Sequence, residues 1–208
     1  MNDRETLIDR IIESEQKMFQ AVPNMGGRAA CQDDVETFRI MRSSQMASWP
    51  EAMLESYRND LKNAEIAERN MFTEKYARMM RSTSPLEYSR IEHLLPHIEP
   101  GAVELIDRII ESILIWEQEL RKIYPRLMRR GRPLYSTEDA AEITSQETYL
   151  KGELATYSLK TLKLYMKHIQ KQISEHINGS EITLLHMMKH YGVTSLEAAE
   201  EALNSYTD

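Results

Sequence analysis

The chain has 208 residues, of which 41% are hydrophobic and 28% charged, and its formal net charge is −7. This length allows one domain, or two halves that share one core. The acidic charge argues against generic duplex nucleic-acid binding, no apolar run is long enough to span a bilayer, and the single cysteine, Cys31, excludes an internal disulfide. We therefore expect a cytoplasmic protein with no membrane association, built mainly from helices because Gly and Pro are few.

An eight-residue string, Leu-Ile-Asp-Arg-Ile-Ile-Glu-Ser, occurs at residues 7–14 and again at 105–112. Shorter similarities follow both copies in the same order. The matched pairs are Glu15 with Glu117, Met18 with Leu120, Phe38 with Tyr149, Trp49 with Tyr157 and Tyr57 with Tyr165. Because an identical string of this length is too long for chance, it indicates an internal duplication. We predict one helical domain over 1–208, with pseudo-twofold-related repeats at 5–81 and 102–193 and a connector over 82–101.

The first repeat predicts four helices. Its first helix carries an apolar stripe from Leu7 to Val22 at helical spacing and ends before Pro23. Asp33-x-x-Glu36 has the form of a capping box and predicts the start of the second helix. Pro50 is placed near the first position of a third helix, and a short fourth helix is predicted over residues 73–80.

The second repeat predicts a similar order after the proline-containing connector. A long helix is expected over 102–128, a second capping box at Thr144-x-x-Glu147, and a third at Thr194-x-x-Glu197. Further helices are predicted over 145–155, 157–177 and 182–191. No segment has the period of a strand. The predicted fold class is therefore all-α, a single globular bundle of about eight to ten helices.

The loop after the first helix of each repeat contains a Gly-Arg pair, at Gly27-Arg28 and at Gly131-Arg132. Free backbone N–H groups and a guanidinium near a helix start can together hold an anion. Alternatively, the glycines end the helices and the arginines bind terminal carbonyls. Cys31, Gln32 and Tyr149 are further candidates for ligand contact.

Glu15 lies in phase with the apolar residues of the first helix, and Glu117 has the same position on the long helix. A carboxylate on a buried face must be paired, metal-bound or neutral. The two could face each other across the pseudo-axis and hold a divalent metal or share a proton, which makes both catalytic candidates. The alternative is a structural ion pair for each, with Arg28 and Arg132 as partners.

Two more acids, Asp34 and Glu153, are candidate catalytic residues because capping does not explain them. Glu153 follows Gly152, and a glycine inside a helix often marks a close approach. Cys31 precedes a helix start and lies near Arg28, an environment that lowers a thiol pKa. No histidine occurs in the first ninety residues, so a Cys–His pair would need a partner from the second repeat.

The segment 121–132 contains six basic residues. Together with Tyr124 and Tyr135 it could bind single-stranded RNA. The alternative is that several of these arginines lie at a helix C-terminus, where positive charge is favourable.

Several segments resemble an uncharacterised bacterial family known only as a domain of unknown function, DUF4125. They are residues 26–34 (GGRAACQDD), 41–45 (MRSSQ), 74–80 (EKYARMM) and 147–154 (ETYLKGEL). The segments extend over nearly the whole chain, so the resemblance implies a stand-alone bacterial protein. It implies no activity, cofactor or catalytic residue.

The function expected from these patterns is the binding, with or without conversion, of a small anionic metabolite or nucleotide in a polar cleft between the repeats. A rival interpretation is a helical interaction or scaffold protein, with paired Glu–Arg bridges, no pocket and an exposed apolar patch. The single-stranded RNA binder is a second alternative. A divalent metal held by carboxylates remains open as a cofactor, and a protein partner is not excluded.

Overall fold

The computed structural model describes residues 3–24 and 27–203, and helices make up most of this part of the chain. The α-helices are α1 (Asp3–Gln20), α2 (Val35–Met46), α3 (Glu51–Ile66), α4 (Met71–Thr83), α5 (Pro85–Ile91), α6 (Ala102–Ile123), α7 (Pro125–Met128), α8 (Gln146–Leu154), α9 (Leu159–Ser174), α10 (Gly179–His190) and α11 (Leu196–Ala202). Short 3-10 helices occur at Ala30–Gln32, Glu92–Leu94 and Ser136–Glu138. Within the described residues, β pairing is limited to one isolated bridge between Ala140 and Ile143. The all-α fold class is confirmed.

Both halves of the chain contribute to one hydrophobic core. Ile11 and Leu54 of the first half and Ile109 and Leu162 of the second are fully buried in the same cluster. On the side of the first half, the core contains a group of aromatic rings, Phe19, Phe38, Phe72 and Tyr76. Phe19 and Phe38 are stacked with their ring centroids 5.1 Å apart.

The helices of the two halves pack in a corresponding way. Helix α1 packs against α2, α3 and α4, and α6 packs against α8, α9 and α10. Between the halves, α4 packs on α8, α10 packs on α2, and α3 packs on α9. A pseudo-twofold axis would relate these contacts in pairs. The duplication itself stays a prediction, for which this arrangement is support.

The predicted helix caps are wrong by one residue. Asp34, and not Asp33, caps α2 by accepting a hydrogen bond of 3.0 Å from the Thr37 N–H. Ser145 likewise caps α8 in place of Thr144, and Ser195 caps α11 in place of Thr194. The capping-box interpretation therefore located the loops correctly but chose the wrong member of each adjacent polar pair.

The long helix predicted over 102–128 is interrupted. Helix α6 ends at Ile123, Tyr124 leaves the helical conformation, and α7 starts again at Pro125. The break follows from Pro125, because a proline has no N–H to donate and disfavours the helical conformation of the residue before it. No helix in residues 3–24 and 27–203 is long and apolar enough to cross a membrane.

Candidate functional site

A network of buried charges lies at the contact between the two halves, with Arg42 at its centre. Arg42 donates from Nε to Glu15 Oε2 at 2.8 Å and from Nη2 to Glu15 Oε1. Its Nη1 donates to Glu153 Oε1 at 2.9 Å and also to the side chain of Gln45. The guanidinium of α2 thus joins a carboxylate of α1 to one of α8.

Glu153 has a second cationic partner, Lys75 of α4, whose Nζ donates to Glu153 Oε2. Burial alone would raise the pKa of Glu153, but the charges of Arg42 and Lys75 and their hydrogen bonds hold it well below the usual glutamate range. Glu153 is therefore a fixed anion in the folded protein and is a poor general acid or base.

Two tyrosine hydroxyls complete the network. Tyr57 donates to Glu15 Oε1 at 2.7 Å and Tyr157 donates to Glu153 Oε1 at 2.9 Å. Burial, followed by the nearby carboxylate, raises the pKa of each phenol well above its ordinary value. Both hydroxyls therefore stay protonated and satisfy the buried carboxylates.

Glu15 is thus in a structural ion pair, and its partner is Arg42 rather than Arg28. Its side chain is 0% exposed, and its oxygens are occupied by Arg42 and Tyr57. No cluster of three or more potential metal ligands from His, Cys, Asp or Glu occurs in the described part of the chain. The predicted face-to-face carboxylate pair of Glu15 and Glu117 is therefore not what the network contains.

The first Gly-Arg loop holds the end of α1 in place. Arg28 pairs with Asp33 and donates to the Gln20 carbonyl at 3.0 Å. Gln32 is buried, and its Nε2 donates to the carbonyls of Phe19 and Val22.

Of the other candidates in this loop, one caps a helix and one is exposed to solvent. Asp34 caps α2, and its pKa is lowered by its hydrogen bonds to Thr37. Cys31 is exposed and is not in the lining of the cavity described below, and neither are Arg28, Gln32 and Asp34. The helix-capping alternative fits this loop.

The second Gly-Arg loop lies beside a tyrosine that contacts two cations. The guanidinium carbon of Arg132 lies 4.6 Å from the ring centroid of Tyr149, and Lys75 Nζ lies 3.5 Å from the same centroid. Arg132 also donates from Nη1 to the Thr144 carbonyl at 3.1 Å. These contacts fix the position of Arg132 without neutralising its charge, because neither partner is an anion.

A cavity of about 460 Å³ lies next to this loop and extends to the buried network. Helices α2, α6, α8, α9 and α10 form its walls, together with the loop after α7. Much of its lining is apolar or aromatic, including Met41, Trp49, Ile113, Trp116, Leu150 and Met187. The volume is in the range of small-molecule sites. The polar cleft expected from the sequence is thus mostly apolar inside.

Three arginines line one part of this cavity, Arg121, Arg130 and Arg132. Arg130 and Arg132 are exposed, and Arg121 donates to the Arg132 carbonyl at 2.7 Å, while its buried Nε has no hydrogen-bond partner. Within residues 3–24 and 27–203, none of the three forms an ion pair with a carboxylate. Arg126 of the same basic segment, in contrast, pairs with Glu200. The cavity therefore has a locally positive end in an acidic protein.

Glu117 also lines the cavity, one helical turn before Arg121 on α6. Its carboxylate has no hydrogen-bond or ion-pair partner among the described residues. Burial raises its pKa, and the charge of Arg121 opposes this shift only in part. Of the four predicted acids, Glu117 is the one that both faces a cavity and has free hydrogen-bonding capacity.

Arg42 and Lys75 are the charged residues that the sequence predictions missed. Both lie in phase with apolar residues on their own helices, Arg42 with Phe38 and Met46, and Lys75 with Met71 and Met79. The same argument that selected Glu15 on α1 would have selected them on α2 and α4, since a charge on a buried face needs a partner of opposite sign.

Comparison with known proteins gives a family but no activity. Residues 5–201 match the model of the family described as "Protein of unknown function (DUF4125)". The match extends over most of the chain, which therefore belongs to this family. Neither the curated proteins nor the solved structures gave a match.

Proposed function

We propose that this DUF4125 protein binds a small organic anion with an apolar body in the cavity bounded by α2, α6, α8, α9 and α10. The observation that carries the proposal is the combination of an apolar interior with guanidinium groups that form no ion pair with a described carboxylate. Guanidinium groups without an ion-pair partner at the edge of an apolar cavity offer charged donors to which an anion can bind.

The anionic group of the ligand is a carboxylate or a phosphate. Both match the planar fork of an arginine, which can donate two parallel hydrogen bonds to them. Arg121 is held by its hydrogen bonds to the Met128 and Arg132 carbonyls, and Arg132 is held in place against Tyr149. These two positions require little ordering on binding, which favours affinity.

The body of the ligand is apolar, acyl or aromatic. Trp49, Trp116 and Met187 provide large, polarisable surfaces in the cavity, and methionine adapts to irregular shapes. This preference replaces the nucleotide considered from the sequence, because a mostly apolar lining suits an acyl or aromatic body better than a ribose and a base.

The other interpretations have less support. A scaffold protein was expected to have paired bridges and no pocket, and the chain has both the buried bridges and a cavity. An RNA-binding surface would need a continuous row of exposed arginines, yet Arg126 pairs with Glu200 and Arg121 is half-buried and lines the cavity.

The proposal includes a cytoplasmic location, which rests on composition and the single cysteine, and an origin by internal duplication.

Intrinsic fluorescence provides a direct test, because both of the chain's two tryptophans line the cavity. The purified protein would be titrated with octanoate, octyl phosphate and octanol. We expect the two anions to change the fluorescence saturably, and octanol to bind more weakly by about tenfold or more, since a charge-assisted hydrogen bond contributes about 1.5–3 kcal/mol. The two anions together show whether the arginines prefer a carboxylate or a phosphate.

Arginine variants locate the anion. We expect Arg121→Gln and Arg132→Gln each to weaken octanoate or octyl phosphate by about tenfold and to leave octanol unchanged. The matched control is Arg58→Gln, because Arg58 of α3 is exposed and is not part of the cavity lining. Equal binding of octanol and the anions, or equal losses in the Arg58 variant, would contradict the proposal.

A further inference from the structure

The wall formed by α9 presents polar groups that neither the arginines nor the buried network use. Tyr165, His168 and Gln172 all line the cavity. Their spacing of three and four residues places them on one face of α9. This face is distinct from the arginine positions, which lie at the end of α6 and in the loop after α7.

Gln172 is the most informative of these residues. Its side chain is 4% exposed, yet its amide forms no hydrogen bond with any described residue. Among the described residues, the fully buried side-chain nitrogen and oxygen atoms without a partner are Arg78 Nε and Arg121 Nε. The amide of Gln172 therefore reaches the surface of the cavity, where a ligand can pair with it. Gly179 sets its position, because a Cβ at residue 179 would lie 3.0 Å from both terminal atoms of the amide.

The hydroxyl of Tyr165 also has no hydrogen-bond partner among the described residues, unlike the hydroxyls of two nearby tyrosines. The hydroxyls of Tyr57 and Tyr157 each donate to a carboxylate, whereas no hydrogen bond of Tyr165 is formed with the described residues. Its ring packs on Trp49 with a centroid distance of 5.5 Å. The hydroxyl is held in a cavity wall with its hydrogen-bonding capacity free.

The α9 wall has no net charge near neutral pH. Burial raises the pKa of Tyr165, so that its hydroxyl stays protonated. Burial, followed by the charge of Lys171, lowers the pKa of His168, which favours the neutral imidazole. The nearest partner of this ring is Ser48 Oγ at 3.5 Å from Nε2. Phenol, imidazole and amide can each both donate and accept hydrogen bonds.

We infer that the ligand is bifunctional and carries, besides its anionic group, a neutral hydrogen-bonding group such as a hydroxyl or an amide that Gln172 and Tyr165 recognise. This inference rests on the proposed function, because the anionic group must be bound at the arginines. A second anionic group would lose its hydration on this wall without a counter-charge. A purely apolar group would leave the buried amide of Gln172 unpaired.

Two probes of equal size test the inference. Nonanoate ends in a methyl group, and octanoate hydroxylated at its terminal carbon has a hydroxyl in the same place. An apolar wall would favour nonanoate. We expect the wild-type protein to bind the hydroxylated acid more tightly, by about fivefold or more, in tryptophan fluorescence titrations.

Variants of α9 show whether this wall is responsible. Gln172→Leu is expected to reverse the preference, so that nonanoate binds more tightly. Gln170→Leu, at an exposed position of the same helix, is expected to keep the wild-type preference. Tyr165→Phe removes only a hydroxyl and is expected to reduce the preference at least about threefold, which keeps the test informative if Gln172→Leu does not fold.

The outcomes separate the two proposals. If nonanoate binds more tightly than the hydroxylated acid to wild type, and Arg132→Gln weakens both, the anion site stands and the bifunctional ligand is contradicted. The bifunctional ligand is also contradicted if Gln172→Leu and Tyr165→Phe both keep the wild-type preference for the hydroxylated acid. If neither the acids nor octyl phosphate bind, both the inference and the proposed function are contradicted. If only octyl phosphate binds, nonyl phosphate and octyl phosphate hydroxylated at its terminal carbon replace the two acids, and the same preference is expected.

Discussion

Arg42 joins the two halves of the chain through buried charges. Two buried carboxylates, Glu15 and Glu153, take hydrogen bonds from its guanidinium. A buried ion network adds little net stability over an apolar replacement of the same shape, but removal of one partner leaves the others as uncompensated charges. Removal of the Arg42 guanidinium is therefore expected to destabilise the folded protein.

We expect Arg42→Ala to lower the free energy of unfolding by about 3–5 kcal/mol, measured by urea denaturation. Arg39→Ala is the matched control on the same helix. Arg39 pairs with Asp9 at 2.6 Å, but both side chains are about 40% exposed, and such a pair contributes less than about 1 kcal/mol. If the two variants lose similar amounts of unfolding free energy, the buried network contributes no more to stability than an exposed ion pair, and the prediction is contradicted.

Glu117 is expected to destabilise the unliganded protein. Its pKa is raised by burial, so folding favours the protonated form. The unfavourable contribution of the carboxylate therefore begins as the pH rises above the ordinary glutamate value of about 4.3, and it is complete once the pH has passed the raised pKa.

Glu117→Gln should consequently raise the free energy of unfolding at pH 7 by about 1 kcal/mol, and the gain should disappear below about pH 4. Urea denaturation across this pH range measures it. Glu111→Gln, at an exposed position of α6, should have little effect at any pH. A loss of stability in Glu117→Gln at pH 7 would mean that the carboxylate has a favourable partner in the folded protein.

At the scale of the elements, periodicity predicted where most helices are but not where they begin. In two of the three predicted capping boxes, the glutamate forms another contact. Glu147 accepts a hydrogen bond from the Ser136 N–H at 2.7 Å, and Glu197 accepts one from the Tyr124 hydroxyl at 2.7 Å. These are contacts with distant parts of the chain, so local sequence could not show that the adjacent serine would cap the helix instead.

The close approach predicted at Gly152 is confirmed, and its partner is α4. A Cβ at residue 152 would lie 2.8 Å from the Lys75 carbonyl oxygen and 2.9 Å from Met79 Cγ. The absence of a side chain lets α8 approach α4 closely enough for Lys75 to reach Glu153. This glycine therefore links local packing to the buried network.

Gly152→Ala should destabilise the protein by up to about 2 kcal/mol. The overpacking penalty of about 1–3 kcal/mol acts against the gain of about 1 kcal/mol in helix propensity. Thermal or urea unfolding measures the balance. Gly131→Ala is the control, because its Cβ would make only an ordinary contact of 3.4 Å. If Gly152→Ala stabilises the protein, the prediction is wrong, and α4 and α8 can move apart at little cost to make room for the added methyl group.

At the scale of the molecule, the predicted duplication gives a reason for the position of the cavity. Under the alignment of the repeats, Met18 matches Leu120, and Phe19 then matches Arg121. Phe19 is buried in the aromatic group of the first half, whereas Arg121 lines the cavity of the second. In the first repeat, aromatic side chains would thus fill the space that corresponds to the cavity, whereas in the second repeat this space would have stayed open.

Some of the residues that line this cavity were selected by the sequence analysis. Arg132, Glu117, Glu153 and Tyr149 were predicted as candidates and all line the cavity. Arg28, the counterpart of Arg132, does not, because Asp33 and the Gln20 carbonyl occupy its guanidinium. A repeat predicts equivalent positions, but the neighbours acquired by each copy decide which position stays available, and those neighbours come from other helices.

The central claim is that the cavity binds an organic anion by its arginines and its apolar wall. A crystal structure of the complex with octyl phosphate tests it most directly. The account predicts phosphate oxygens about 3 Å from the guanidinium of Arg121 or Arg132 and an alkyl chain against Trp116. An empty cavity, or octyl phosphate bound elsewhere on the protein, would contradict it.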